Sequence, residues 1–364
     1  MTLTNSTSPE LDADTRLVNA LYRGILHRDP SPDEVAAWLA GLRSSDPHYK
    51  IVGADAAEAF LASEERKNLL ANLVAPSQSA LPADWPQLFV PPGHFYSPIV
   101  DPSGTITEKR HGERPMPEQL TGLDIDRVSM LAAWTELLPH FLACPFGADR
   151  TPGFRYWFDN PAYSYADGAT LFAMIRRHRP KRIVEVGCGW SSACMLDTID
   201  RELFGLCETT FIEPYPQLLR ELTAANPFTG RIIETAVQDV DLSEFERLEA
   251  NDILFIDSTH VLKTGSDVAF ELAEILPRLQ PGVLVHFHDI FWPFEYPDAW
   301  IFEENRSWNE IYALRAFLTD SRDWKVEFFG HYLVSIEGGR VESDFPLFTK
   351  NPGGAIWLRK HSLS

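Results

Sequence analysis

IVEVGCGWSSA, residues 183–193, runs from three apolar residues interrupted by one acid, Glu185, into two glycines spaced one apart, Gly187 and Gly189, and then two serines. The β-branched run reads as a buried strand. Glycine after a strand lets the backbone turn sharply and come close to a ligand. The free amides that open the following helix can then receive an anionic group. Such a glycine pair is common on its own, so the order of the segments downstream of it decides the fold.

Outward from this turn, residues 151–364 alternate short apolar runs with helix-length segments. RIVEVG, ETTFIEP, RIIETAV, DILFID and GVLVHFHD are strand candidates, each nearly continuously apolar, as parallel strands covered on both faces are. The pattern predicts an α/β fold, a doubly wound Rossmann-like sheet with its ligand crevice at the carboxyl ends of the strands. WKVEFFGHYLVSI and GGAIWLRK are expected to add an antiparallel C-terminal edge pair. Glu213 closes the second strand, where a carboxylate can accept from both ribose hydroxyls of a nucleoside. Gln238 and Asp239 close the third segment, a position suited to the adenine edge.

The remaining chain divides by composition. Residues 1–75 form an N-terminal all-α module after a polar start. Its first helix carries a stripe of Leu17, Val18, Leu21, Tyr22, Ile25 and Leu26. Residues 76–150 are a Pro-rich connector followed by a helical cap. Within the connector, His94 and Tyr96 sit between prolines that stiffen the chain. The 364 residues carry a net charge of -20, which leaves no basic surplus for a nucleic-acid backbone or an anionic membrane surface. At 45% hydrophobic and 12% aromatic residues, the chain can bury a sizeable core. The four cysteines show no metal-ligand spacing. With a polar, acidic N-terminus and no membrane-length apolar run, a cytoplasmic protein with reduced thiols is expected. The helical module is read as a packing or protein-docking unit, and homo-oligomerisation stays open.

Taken in order, VEVGCG, FIEP, QD, DILFID and LQPGVLVHFHD resemble the motifs of class I S-adenosylmethionine-dependent methyltransferases, over roughly residues 160–360. A dinucleotide oxidoreductase would more often carry GxGxxG, and here the third position is Ser192. The resemblance implies S-adenosylmethionine as cofactor. It places Glu185 and Gly187 near the methionine moiety, Gly189 and Ser191 at the turn, Glu213 on the ribose, and Gln238 and Asp239 near the adenine. FDNPAYSYADGATLFAMI resembles the segment that closes over the cofactor in related enzymes, which brings in Tyr163, Ser164 and Asp167. LYRGILHRDPSPDEVAAW resembles a small bacterial helical module of proteins tied to cell-surface and glycan metabolism.

Methyl transfer from a sulfonium needs alignment, and a hydroxyl acceptor must also lose a proton. FIDSTH supplies Asp257 and His260, and VHFHD supplies His286, His288 and Asp289, from strands expected to be neighbours. His286 also reads as an ordinary core residue. The segments FIDSTH and HDI resemble macrolide-sugar O-methyltransferases, which implies a divalent metal such as Mg2+ held by Asp257, Asp289 and His288. Ser258-Thr259-His260 stands where that family carries a run of acids, which makes His260 a candidate direct base. Both arrangements stay open. The aromatic insertion after strand five, with Trp292 and Tyr296, and the connector's His94 and Tyr96 are candidate acceptor contacts. The expected activity is O-methylation of a small molecule, a sugar or natural-product intermediate. N-methylation of an amine or amino-acid-like acceptor and a non-catalytic nucleoside-binding role are the alternatives.

Overall fold

A computed structural model describes residues 88–103 and 116–361. The chain divides into two compact units, Met1–Phe89 and Val90–Ser364. The predicted helical module at 1–75 lies outside the described residues.

In the second unit the elements run in the order α1 (Arg127–Phe141), α2 (Tyr165–His178), β1 (Arg182–Val186), α3 (Trp190–Glu202), β2 (Glu208–Ile212), α4 (Gln217–Thr223) and β3 (Arg231–Ile233). Then come β4 (Ile253–Ile256), α5 (Asp267–Phe270), β5 (Leu284–Phe287), α6 (Glu310–Leu318), β6 (Trp324–Phe329), α7 (Gly330–Asp344) and β7 (Ile356–Lys360). The sheet order is β3-β2-β1-β4-β5-β7-β6. The pairings among β1 to β5 are parallel. β7 runs antiparallel to both β5 and β6. The chain moves outward in one direction from β1 to β3, then returns to β4 beside β1, so the switch point that hosts ligands in doubly wound sheets lies between β1 and β4.

The continuous burial of β4 and β5 follows from helices on both faces. α2 is buried at ten successive positions, Ala166 to Ile175, because it packs between α1 and α3. α1 starts at Asp126, whose carboxylate accepts from the amides of Val128 at 2.8 Å and Ser129 at 3.0 Å, an N-cap that satisfies two orphan donors.

The edge pair differs from its expectation in one respect. The strand predicted over WKVEFFGHYLVSI stops at Phe329, and Gly330–Asp344 is helical with a kink at Glu337. Burial alternates through Trp324, Val326 and Phe328, a period of two. Beyond Gly330 the buried positions fall at Tyr332, Leu333 and Val341, which fits a helical face instead. β6 and β7 are therefore joined through a helix, not a tight hairpin turn.

Candidate active site

The parallel strands end level with one another. Val186 stands opposite both Ile212 and Ile256, and Ile256 opposite Phe287. The next residue of each strand, Gly187, Glu213, Asp257 and His288, therefore emerges along one carboxyl edge. The ladder continues one bond into that edge: the Asp257 amide donates to the Val186 carbonyl at 2.9 Å and the His288 amide to Ile256 at 3.0 Å. Regular backbone pairing thus positions the candidate chemistry, with no loop flexibility between strand and site.

A cavity of about 350 Å³ opens above β1, β2 and β4, lined by Gly187, Glu213, Gln238, Asp257, Thr259 and Asp267 among others. Gly187 has φ +79°, and a β-carbon there would fall well inside the carbonyl oxygen of Asp257. Only glycine fits this crossing of β1 and β4. The Glu213 carboxylate is aimed by two amides, Tyr215 at 2.8 Å and Cys188 at 3.4 Å. Those bonds leave acceptor capacity for hydroxyl donors from the cavity. Asp267 accepts from the amide and hydroxyl of Thr259 at 3.0 and 2.6 Å, which fixes the turn after β4. A nucleoside with vicinal hydroxyls fits these donors and acceptors.

Of the residues expected on the cofactor, Gly187, Glu213 and Gln238 line this cavity. Glu185 and Ser191 do not. Glu185 is fully buried, and its two oxygens each accept a serine hydroxyl at 2.5 Å, from Ser191 and Ser192. Burial pushes its carboxyl up to about 8 against those hydrogen bonds. Ser192 also accepts from the Gly189 amide at 3.0 Å, so the acid and two serines brace the glycine turn from beneath. Asp239 is exposed in a short turn over Val237–Asp239. Ser164 accepts from the Asn351 side chain at 2.7 Å. Tyr163 is buried with its ring 5.2 Å from that of His288. Asp167 is buried, accepts from the Gly354 amide at 3.2 Å, and lies 3.6 Å from His288 Nε2. These last two back His288, just past β5, instead of the cavity.

Beside the cavity, above β4 and β5, Asp257, His260, His288 and Asp289 close into a ring. His260 Nε2 lies 3.5 Å from Asp257 and 3.4 Å from Asp289. His288 Nδ1 lies 3.3 Å from Asp257 and 3.6 Å from Asp289. Each imidazole has a further carboxylate behind it: Glu310 accepts from His260 Nδ1 at 2.8 Å, and Asp167 faces His288 Nε2. Burial alone would lower the His260 pKa. Hydrogen bonds to Asp257 and Glu310, reinforced by their charges, overturn this and raise it to about 10. His288 is likewise raised despite its burial, chiefly by the charges of Asp257 and Asp289. Burial would lift Asp257, yet the two histidines hold it far below the usual carboxylate range. Asp289 moves the other way, with burial outweighing the same histidines. Two neighbouring carboxylates are thus pushed apart, a permanent anion and a more basic partner.

Asp257, Asp289 and His288, expected as metal ligands, do come together. The imidazoles, however, bridge the carboxylates, and among the described residues no group of three or more His, Cys, Asp or Glu side chains is arranged to hold a metal ion. His286 stacks on Phe255 at 3.9 Å with both ring nitrogens unpartnered, and burial holds it neutral, the core role offered by its sequence position.

The expected acceptor contacts are spread out. Trp292 and Tyr296 are buried: the Trp292 indole donates to the Pro117 carbonyl at 2.8 Å, and the Tyr296 hydroxyl accepts from the Ile311 amide at 3.3 Å. Tyr296 packs near Trp300 and Trp308, and the Trp308 ring lies 4.5 Å from that of His260. The Arg306 guanidinium stacks on both Trp300 and Trp308, at 4.0 and 4.6 Å. His94 and Tyr96 lie on a connector with Tyr96 exposed, and the Val100 amide ties that connector to the Ser307 hydroxyl at 3.2 Å. Glu310 is a site residue that sequence reasoning misses. It sits in the first turn of α6, where an acid is ordinary, and no local spacing links it to His260, 50 residues away.

Known proteins agree with this reading of the fold. Residues 184–290 match the model of the methyltransferase domain family. An uncharacterised protein of Archaeoglobus fulgidus is 33% identical over 172 residues, covering 45% of this chain and 75% of its own length. Among solved structures, the O-methyltransferase TomG from Streptomyces achromogenes, in complex with SAM, overlaps at TM-score 0.33 with 14% identity, over 66% of this chain and 92% of its own. An O-methyltransferase from Bacillus cereus in complex with SAH overlaps at TM-score 0.32 with 14% identity, over 54% and 82%. Overlaps at these scores carry no argument. The family match falls on the strands that build the level carboxyl edge, from β1 to the residues just past β5, and this part of the chain is a methyltransferase domain.

Proposed function

We propose that this methyltransferase acts on an oxygen of a small-molecule acceptor, a sugar or natural-product intermediate, without a metal. The observation that carries this reading is the double duty of Asp257, which lines the cavity and also lies 3.5 Å from His260 Nε2. Proton-handling groups therefore stand directly beside the nucleoside cavity. S-adenosylmethionine, when bound, supplies an already activated methyl group. Gly187 gives it room, and Glu213 receives its ribose hydroxyls. The residues beyond Asp257 then have one remaining task, to place the acceptor oxygen in line and take its proton. His260 holds its own proton at neutral pH, so it does not stand ready as the base expected from the sequence. Asp289, the more basic of the two aspartates and 3.4 Å from His260, receives the proton in this reading. The Trp308 ring lies 4.5 Å from that of His260 and carries the Arg306 guanidinium 4.6 Å from its centroid, an aromatic and cationic pair that suits a polar ring.

Supporting a cytoplasmic setting, all four cysteines are free thiols, and no described helix is long and apolar enough to cross a membrane. Self-association and docking through the N-terminal helical module belong to the same proposal.

The test is incubation with isotopically methyl-labelled S-adenosylmethionine and a panel of hydroxylated sugars, phenols and amines, read by mass spectrometry. Methylated oxygen is expected, unaffected by a chelator, with Asp289→Asn lowering turnover roughly 100-fold or more. Methylation of nitrogen would replace the oxygen reading. Activity lost on chelation and restored by Mg2+ would replace the metal-free one.

A further inference from the structure

Residues 308–310 grip His260 from three directions, and we propose that Glu310 is a positioning residue for methyl transfer, an inference that rests on the role just given to the Asp257–His260–Asp289 ring. The Trp308 ring covers one face of the imidazole, with centroids 4.5 Å apart and planes at 42°. The amides of Asn309 and Glu310 both donate to the His260 carbonyl, each at 3.1 Å. The Glu310 carboxylate accepts from Nδ1–H at 2.8 Å. Asn309 completes the clamp by pairing with both backbone groups of Leu262, at 2.6 and 3.2 Å.

Two features separate this clamp from routine packing. His260 adopts φ +60°, a left-handed conformation that residues with a β-carbon hold only when their surroundings impose it. The two amides at the start of α6 supply that imposition. Glu310 is also almost wholly buried, and its other oxygen, Oε1, has no hydrogen-bond partner. A buried carboxylate with one oxygen unpaired is destabilising by itself and persists where a charged partner needs it. That partner is His260. With Nδ1 pinned, the opposite nitrogen, Nε2, can point only between Asp257 and Asp289. Without the pin, the ring is free to turn about its bond to the β-carbon, and the link from cavity to Asp289 is lost. The aromatic insertion after β5 thereby completes the site: it carries the residues that aim a histidine belonging to the loop after β4.

The experiment compares Glu310→Gln and Glu310→Asp with the wild-type full chain, all saturated with S-adenosylhomocysteine. The Nδ1–H resonance of His260 is followed by NMR on isotope-labelled histidine and assigned by its loss in His260→Gln. Affinity for S-adenosylhomocysteine is measured by calorimetry, and kcat and KM on the acceptor found by the panel. Glu310→Gln is expected to lose the resonance and to lower kcat roughly 10- to 100-fold, as loss of an outer partner of a working histidine does. KM and the calorimetric affinity stay within about twofold. Glu310→Asp, which keeps the charge at shorter reach, restores part of kcat. An unchanged resonance overturns the proposal, and so does a kcat loss matched by an equal loss of nucleoside affinity, which marks a merely structural residue. Should Glu310→Gln fail to fold, the aspartate variant decides by the same two readouts. Should the panel yield no acceptor, the resonance and the calorimetry still decide the role of Glu310, while the methyl-acceptor reading alone falls.

Discussion

The two halves of the carboxyl edge are built on opposite principles. Over β1 and β2 the chain leaves space: a glycine where a side chain would collide, a carboxylate held by amides, and a cavity of about 350 Å³. Over β4 and β5 it fills space with charge: two imidazoles wedged between two aspartates, with a further carboxylate behind each. The first half is specified by backbone geometry and admits a ligand. The second is specified by side-chain electrostatics and handles protons. A mutation should therefore act on binding in one half and on turnover in the other, a division that single substitutions can break.

The largest effect is expected from Gly187→Ala. The added β-carbon would meet the Asp257 carbonyl, in a residue already at φ +79°, and neither clash can relax without moving β1 from β4. Destabilisation on the order of 3 kcal/mol or more follows from the strain and the overpacking together. In a domain of this size that is a fall of roughly 10 °C in melting temperature. Binding of S-adenosylhomocysteine should vanish in calorimetry. Because the collision is with Asp257, which belongs to both halves, this substitution also breaks the division between them. A variant that melts like wild type would show that the crossing is looser than its geometry.

Glu213→Gln should stay within its own half. The glutamine carbonyl can still accept from the Tyr215 amide, and only the longer bond from the Cys188 amide at 3.4 Å is given up, so the fold is retained, while hydroxyl donors in the cavity lose a charged partner. Charge-assisted hydrogen bonds are worth about 1.5–3 kcal/mol, which predicts roughly 10- to 100-fold weaker binding of S-adenosylhomocysteine. At saturating cofactor, kcat should return to near the wild-type value. A kcat that stays low would merge the two halves into one functional unit.

Legibility in the sequence divides along the same line. β1, β2, β4 and β5 are legible because parallel strands covered on both faces are nearly continuously apolar, which ILFI satisfies outright and RIVEV apart from its first residue and Glu185. Gly187 and Glu213 are legible because they lie at fixed offsets from those strands. Glu185 is expected near the cofactor only through the family resemblance of VEVGCG. Its partners are instead Ser191 and Ser192, six and seven residues on, which seal it under the turn. Asp257, His288 and Asp289 can be placed together from sequence because their strands are expected to be neighbours, whereas the place of His260 depends on a left-handed backbone that the local sequence does not announce. Glu310 carries no signal, because its meaning exists only once α6 packs against the loop after β4. The unexpected helix at Gly330–Asp344 has a similar origin: HYLVSI is as apolar as a strand, and the change of period appears only in which side chains are buried.

The pH dependence of stability probes the charged half. His260 is raised to about 10 and His288 is also raised, so the stability they contribute is fully present below their ordinary value of about 6.5. It is lost as pH rises through the folded-state value. Between pH 8 and 10 the melting temperature should fall by a few degrees more in wild type than in His260→Gln, where one of the titrating groups is gone. Parallel melting curves for the two proteins across this range would mean that the ring is not held by charged imidazoles.

The smallest effect is expected from the pair His94→Ala with Tyr96→Phe. Both residues stand among prolines on the connector, where rigidity suggests an acceptor contact. His94 instead stacks on Phe95 at 4.2 Å and accepts from the Tyr96 amide at 3.1 Å, bonds internal to its own turn. Tyr96 is mostly exposed. The bond from the Val100 amide to the Ser307 hydroxyl, which ties the connector to the aromatic insertion, survives both substitutions. If the acceptor is recognised by the face that Trp308 and Arg306 present beside His260, then kcat should be unchanged and KM should rise by no more than about threefold, less than 1 kcal/mol. A tenfold rise in KM at unchanged nucleoside affinity would instead make the connector part of the acceptor wall and extend the charged half of the site beyond the carboxyl edge of the sheet.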